Sequence, residues 1–366
     1  MGAITEIFKS FADDYLAQHP GCPGRHRKVI NAIINCRSGE YGATAYRCEG
    51  CGCRHIVYRS CGDRHCPQCQ YHKSREWLHR QMARIVPGHH FMLTFTVPEE
   101  LRHFIRSNQK LCYGALFAAS ADAIKLLARD TRFVGADLAG FTGVLHTWGR
   151  QLQYHPHIHY LVPGGGLNVD RNHWLPSRSD FFLPVKALSK IFRAKFKTLM
   201  AKAGLVANID PVVWNTDWNV NSQSVGDAEA TLKYLAPYIF RVAISDSRIV
   251  AFEGRTVTFS YRKKGSNRQR KMTLDALEFI RRYLQHVLPP GFMKVRHYGF
   301  LNPNCAVSIA AIHELASQVV KLTFDFVVDI ARKAKAEPPT PICSSCGGKL
   351  LYLFSLIPGR PGRAPT

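Results

Sequence analysis

A chain of 366 residues with 46% apolar side chains can bury a substantial core and has room for two or three domains, which excludes a wholly disordered protein. Lys and Arg number 49 against 26 Asp and Glu, and the formal charge of +23 points to a polyanionic partner. No run of 18 apolar residues occurs and the N-terminal stretch lacks a signal-peptide plan, so the chain reads as cytoplasmic, with no membrane partner.

Residues 1–86 form the first predicted unit: a helical start, a cysteine cluster and a basic helix carrying Trp77, Leu78, Met82 and Ile85 at helical spacing. Of 12 cysteines, seven lie between Cys36 and Cys69, a density that signals metal binding in a reducing compartment. Cys48-x2-Cys51 and Cys66-x2-Cys69 have the paired-knuckle spacing of a four-thiolate zinc site. His26, Cys36, Cys61 and His65 remain as ligands for a second zinc, with Cys53 as a competitor. One or two structural Zn²⁺ are therefore expected, replacing a hydrophobic core in a small unit. Arg54, Arg59 and Arg64 flank the cysteines and suit a DNA-reading module. Cys343-x2-Cys346 is half a knuckle without evident partners and is expected to be reduced or loosely metal-binding.

Pro87-Gly88 breaks the chain, and 87–302 mixes strands with helices. Residues 90–97 read as a strand, 99–130 as a helix or helix pair, and 141–149 with 155–165 as adjacent antiparallel strands. An amphipathic helix ends at Gly204, and a second one starts at Asp227. A hairpin turning at Glu253-Gly254, a helix over 274–288 and a short strand near 292–300 complete the unit. Strands and helices segregate, so the predicted class is α+β, an antiparallel sheet flanked by helices. Residues 303–366 are expected to hold a C-terminal helix followed by a Pro/Gly-rich disordered tail.

The run from Tyr154 to Gly166 carries the strongest chemical signal. His155, His157 and His159 are two residues apart in a strand pattern, so all three project from one face and make a compact metal platform. Without a metal this is only a histidine-rich sheet face. Tyr234 and Tyr238 follow at i and i+4 on one helix face, although Pro237 between them disturbs that helix. The glycines of 164–166 make a turn that either admits DNA closely or is an ordinary turn. The acid-free loop 261–273 holds Arg262, Lys263, Lys264, Arg268, Arg270 and Lys271, a phosphate-gripping pattern. Arg296, His297 and Tyr298 form a second basic-aromatic set suited to backbone contact and base stacking.

A His-hydrophobe-His strand followed by a tyrosine helix resembles the HUH endonucleases. The ordered stretches "SCGDRHCPQCQ", "VLHTWGRQLQYHPHIHYLVPGGG", "YLAPYIFRVAIS" and "EFIRRYLQHVLPPGFMKVRHYGFL" resemble the two-tyrosine transposases of the insertion-sequence-ninety-one family over about residues 25–302. The resemblance implies an HUH-like sheet and cleavage and rejoining of single-stranded DNA at transposon ends and target through a 5′-phosphotyrosine. It also implies Tyr234 and Tyr238 as nucleophiles, and Mg²⁺ or Mn²⁺ held by His157 and His159. His155 is the first candidate for a third ligand, with His146, Gln151 and Gln153 as alternatives. Such chemistry uses no nucleotide cofactor, and no GxxxxGK[ST] is present. The protein would work at a bacterial nucleoid. A replication initiator or relaxase shares this chemistry, and a non-catalytic zinc-containing nucleic-acid-binding regulator is the reading from another class.

Overall fold

In the computed structural model, residues 2–69, 77–226, 243–262, 266, 268–320 and 341–358 are described. Chain order gives helices α1 (Ala3–Gln18) and α2 (Gly24–Ile34) and strands β1 (Ala43–Cys48), β2 (Arg54–Tyr58) and β3 (His90–Thr96). Helices α3 (Leu101–Ser107) and α4 (Gln109–Ala128) follow, then β4 (Phe141–Trp148), β5 (Tyr154–Pro163), β6 (Gly165–Leu167) and β7 (Trp174–Pro176). After them come α5 (Val185–Lys202), β8 (Asn219–Gly226), β9 (Ile249–Glu253), β10 (Thr256–Arg262) and β11 (Gln269–Asp275). Helix α6 (Ala276–Leu284), β12 (Val295–Tyr298), α7 (Ile309–Val320) and β13 (Leu350–Leu356) complete the chain. The class is α+β, with antiparallel sheets flanked by helices.

A five-stranded antiparallel sheet in the order β12-β4-β5-β3-β8 positions the candidate site. Alternation along β5 sends Ile158, Tyr160 and Val162 into a core shared with Phe91, Leu93 and Phe95 of β3. Helix α5 closes this core with Leu188, Phe192, Phe196 and Met200, an i, i+4 ridge on one helix face. Helix α4 is apolar over a length that could cross a bilayer, yet Tyr113, Leu116, Phe117 and Ile124 are buried in this same core. Close approach here requires a glycine: a Cβ at Gly143 of β4 would lie 2.4 Å from the Tyr160 ring.

The opposite face of the sheet is divided. At one end Val144, Leu161, Met92 and Val295 are covered by Trp77, Leu78, Met82 and Ile85, the apolar stripe of the basic helix. At the other end lie the histidines.

A second core joins distant parts of the sequence. Ile4, Ile7 and Phe8 of α1 and Val29, Ile30 and Ile33 of α2 pack with Val257 and Phe259 of β10 and with Phe279, Ile280 and Tyr283 of α6. Helix α6 forms because Asp275 caps it, its Oδ1 accepting from Leu277 N at 2.9 Å, and because its buried residues recur at helical spacing. The N-terminal segment therefore shares a core with residues 243–287 and does not stand apart. Leu152, fully buried at φ 63°, plugs the β4–β5 turn into this core. Gln285 Nε2 and His286 Nε2 both donate to its carbonyl.

Two outcomes differ from the sequence reading. Strand β8, rich in Asn and Ser, is an edge strand of the main sheet that its composition hid. The C-terminal tail holds β13, which pairs with β1. The glycines of 164–166 pack against Trp174, Leu175 and Leu138 at the far end of β5, roughly 25 Å along the strand from His157. Gly165 and Gly166 belong to β6 and Gly164 packs against His89, away from His157 and His159.

Candidate metal centre and nucleic-acid surface

Strand pairing brings the imidazoles together. His157 of β5 faces His146 of β4 across the ladder, and His159 lies two residues further on the same face. Ligand atoms of His146, His157 and His159 all lie within 4.8 Å of one another. Two nitrogens at about 2.1 Å from one ion are at most about 4.2 Å apart, so a small ring rotation closes the set. His155, the first candidate for a third ligand, is outside this group, and His146 takes the place. The reason is geometric: His155 lies four residues from His159 along the strand, whereas His146 stands opposite His157 across the ladder. Gln153 is engaged in the β4–β5 turn, its Oε1 accepting from Gln151 N at 2.9 Å.

Hydrogen bonds define how two of the rings can bind. His157 Nδ1 lies 2.7 Å from the His155 carbonyl, which only accepts, so Nδ1 carries the proton and Nε2 keeps its lone pair. His159 Nδ1 lies 2.9 Å from Thr94 Oγ1, and donation to that hydroxyl leaves Nε2 in the same ligating form. Burial lowers His157 to about 4 and pushes His146 and His159 well below the ordinary imidazole value, helped by their mutual repulsion. All three are therefore neutral at neutral pH, as a metal ligand must be. The surroundings are cationic: Arg102 of α3 bears on His155 and His157, and Lys294 bears on His146. Arg102 pairs with Glu99 at 2.9 Å while its Nε is buried without a hydrogen-bond partner. Sequence reading missed Arg102 and Thr94, because nothing in their spacing signals proximity to the histidines. Tyr234 and Tyr238 lie outside the described residues.

The cysteines partition differently from the expected Cys48, Cys51, Cys66 and Cys69 set. Cys36, Cys61, Cys66 and Cys69 form one cluster, and Cys48 and Cys51 meet Cys343 and Cys346 in another. In the first, Cys36 Sγ and Cys61 Sγ lie 3.6 and 3.4 Å from Cys69 Sγ. A tetrahedral ion with bonds of about 2.3 Å separates its sulfurs by about 3.8 Å, so these spacings suit a metal and are far too long for a disulfide. The expected second set of His26, Cys36, Cys61 and His65 is not assembled. His65 Nε2 accepts from Leu288 N at 3.1 Å, so its Nδ1 donates to Asp63. That histidine fastens the cysteine loop to the segment after α6. His26 is buried, lowered to about 4 chiefly by desolvation, and its Nε2 has no partner. Cys53 is exposed and outside both clusters.

Comparison with known proteins now bears on these sites. A family model described as "Putative transposase" matches residues 140–308, and one described as "Transposase zinc-binding domain" matches residues 7–97. A Sinorhizobium fredii protein described as "Putative transposase y4qJ" is 37% identical over 318 residues, covering 81% of this chain and 80% of the relative. The chain belongs to the IS91 family of transposases. A second relative, "Transposase for insertion sequence element IS801" of Pseudomonas savastanoi pv. phaseolicola, is 25% identical over 376 residues, 93% of this chain and 87% of its own. No solved structure matches. The transposase thus has a DNA-processing role and an N-terminal zinc-binding domain carrying structural zinc.

The basic residues of the transposase fall into two groups. Arg262, Arg268, Arg270 and Lys271 are exposed on the β10–β11 hairpin, while Lys263 and Lys264 lie outside the described residues. Arg150, in the turn between the two histidine strands, donates to the Arg262 carbonyl at 2.9 Å, which ties this hairpin to the histidine end of the sheet. Arg296 and His297 were expected at DNA and are engaged inside the fold. Arg296 stacks over Phe117 at 4.4 Å and Phe292 at 5.3 Å. His297 Nδ1 lies 2.9 Å from Thr142 Oγ1. Arg64 likewise donates to the carbonyls of Phe292 and Pro289 and acts as a structural clamp.

Proposed function

We propose that this transposase cleaves and rejoins single-stranded DNA through a 5′-phosphotyrosine at a divalent-metal site of His146, His157 and His159, driving rolling-circle-type transposition. The observation that carries the reading is the trio of imidazoles gathered on one sheet face, with His157 held in the tautomer a ligand needs and the Thr94 hydroxyl able to hold His159 in the same form. The ion supplies polarisation of a non-bridging phosphate oxygen and lowers the charge an attacking phenolate meets. Mn²⁺ is the expected better activator, because an all-imidazole set is softer than the oxygen ligands Mg²⁺ prefers.

Tyr234 and Tyr238 are the proposed nucleophiles. An unperturbed phenol, with a pKa of about 10, is only about 0.1% ionised at pH 7, so the phenol must lose its proton as it attacks. Its oxygen bonds to phosphorus, the bond to the 3′-oxygen breaks, and a 3′-hydroxyl leaves. Reversal by another 3′-hydroxyl reseals the strand and frees the phenol. Each exchange conserves one phosphodiester bond, so no nucleotide cofactor is required. Arg102 is suited to hold the phosphate beside His155 and His157, and the hairpin residues Arg262, Arg268, Arg270 and Lys271 to hold the flanking backbone, as would Lys263 and Lys264.

The test is incubation with short single-stranded oligonucleotides and Mn²⁺, read as a covalent adduct on denaturing gels. H157A and H159A should abolish the adduct while oligonucleotide binding and zinc content persist. Each of Y234F and Y238F should retain some adduct, and the double substitution should retain none. A full adduct yield in EDTA by protein that keeps its zinc, or from the double tyrosine variant, would refute the assignment.

A further inference from the structure

The match to the zinc-binding domain ends at residue 97, yet half of the second cysteine cluster comes from residues 343–346. We propose that Cys48, Cys51, Cys343 and Cys346 bind a second structural Zn²⁺, closing a zinc ribbon made from the two ends of the chain.

Four observations converge on this site. Cys48 Sγ lies 3.4 Å from Cys346 Sγ, and Cys51 Sγ lies 3.7 Å from Cys343 Sγ. Both separations lie a little below the roughly 3.8 Å of a tetrahedral four-thiolate zinc and exceed any disulfide. Both CxxC pairs are tight turns closed by their own backbone. Gly52 N donates to the Cys48 carbonyl at 3.0 Å, and Gly347 N to the Cys343 carbonyl at 2.9 Å. Each turn leads into a strand pair, with β1 central between β2 and β13, so the sheet brings the two turns face to face. Glu49 N donates to the Lys349 carbonyl at 3.0 Å, which extends the β1–β13 ladder up to the cysteines.

The surroundings are built for thiolates. Ser345 N points at Cys343 Sγ at 3.4 Å, and His55 Nε2 lies 3.1 Å from the same sulfur, so two groups can donate to it and spread its charge. Gly348 sits where a Cβ would come within 3.0 Å of Cys48 Sγ and 3.3 Å of Cys346 Sγ. A side chain there would crowd the sulfurs. The ribbon's apolar core is small: among the described residues, Cys48, Cys343 and Leu350 form the buried cluster, with Tyr46 packed beside them. Ile56, Tyr352, Phe354 and Leu356 are exposed. Three short strands with so small a core need a further cross-link to hold together.

The full chain, purified without chelator, should contain two zinc ions by elemental analysis. The C343S/C346S variant should contain one, because Cys36, Cys61, Cys66 and Cys69 are untouched. One zinc in the parent chain, or two in the variant, overturns the proposal. Alkylation of the unsubstituted protein followed by mass spectrometry gives a readout independent of variant folding. Cys51 and Cys346 are exposed, so only bound metal protects them. Both should resist iodoacetamide until a chelator is added and then react together with Cys48 and Cys343. Rapid labelling of Cys346 in the zinc-loaded chain would exclude the site.

Discussion

At the scale of single residues, the histidine centre depends on partners that hold the rings. Thr94 is on the strand paired with β5, directly opposite His159. Its hydroxyl accepts from Nδ1 in the ligating tautomer, fixing the ring and raising the basicity of Nε2. T94V removes this acceptor at nearly constant volume. The Mn²⁺ concentration for half-maximal adduct formation should rise about 10- to 100-fold, with full yield restored at excess metal. An unchanged metal requirement would mean that His159 is oriented by packing alone. Two buried histidines outside this centre report on acid stability. Burial lowers His90 to about 4 and His286 to about 3. Unfolded imidazoles titrate near 6.5, so below that value the unfolded chain binds more protons and stability falls as pH falls toward the folded values. Each such group contributes up to about 1.4 kcal/mol per pH unit across its window. Urea midpoints should therefore fall from pH 7 to pH 5, and H286Q should show a shallower fall. Equal midpoints at the two pH values would count against buried neutral imidazoles.

At the scale of elements, the β10–β11 hairpin is an exposed basic surface tied to the histidine end of the sheet through Arg150. Arg270 pairs with Tyr261 and Lys271 with Ser260 across the ladder, and both charged side chains are exposed. Their contribution to binding is electrostatic, with a log–log salt slope of about −0.7 per neutralised single-strand phosphate. R270S/K271S should weaken binding of unrelated oligonucleotides to a similar extent and make the salt slope shallower by about 1.4, as measured by anisotropy titrations. A loss confined to one sequence would mean that these residues read bases. The expectation for Arg296 was set by its neighbours in sequence, a basic and an aromatic residue. In the fold its guanidinium instead lies over the Phe117 and Phe292 rings, so side-chain packing and not sequence neighbours places it.

At the scale of the whole molecule, much of the main sheet was legible because its signals are local. Alternation marks β3, β4 and β5, and period 3.6 with Gly204 marks α5, whose C-terminal glycine takes φ 70°. The i, i+2 spacing of His157 and His159 places both on one face with no tertiary information at all. Composition alone also points to a polyanionic partner, through a charge of +23. What the sequence cannot carry is which distant segments share a neighbour. Three thiolate pairs with equivalent spacing can combine in several ways, and local pattern favours the nearest two. The fold instead joins Cys66 and Cys69 to Cys36 and Cys61, and Cys48 and Cys51 to residues about 290 positions away. His146 joins the histidine group for the same reason: register across a ladder, fixed by the packing of both faces, decides which side chain stands opposite His157. Residue type and spacing thus determined the chemistry available to this protein. Tertiary structure alone decided the partners, because metal sites and ladders are closed by contacts whose sequence separation leaves no periodic trace.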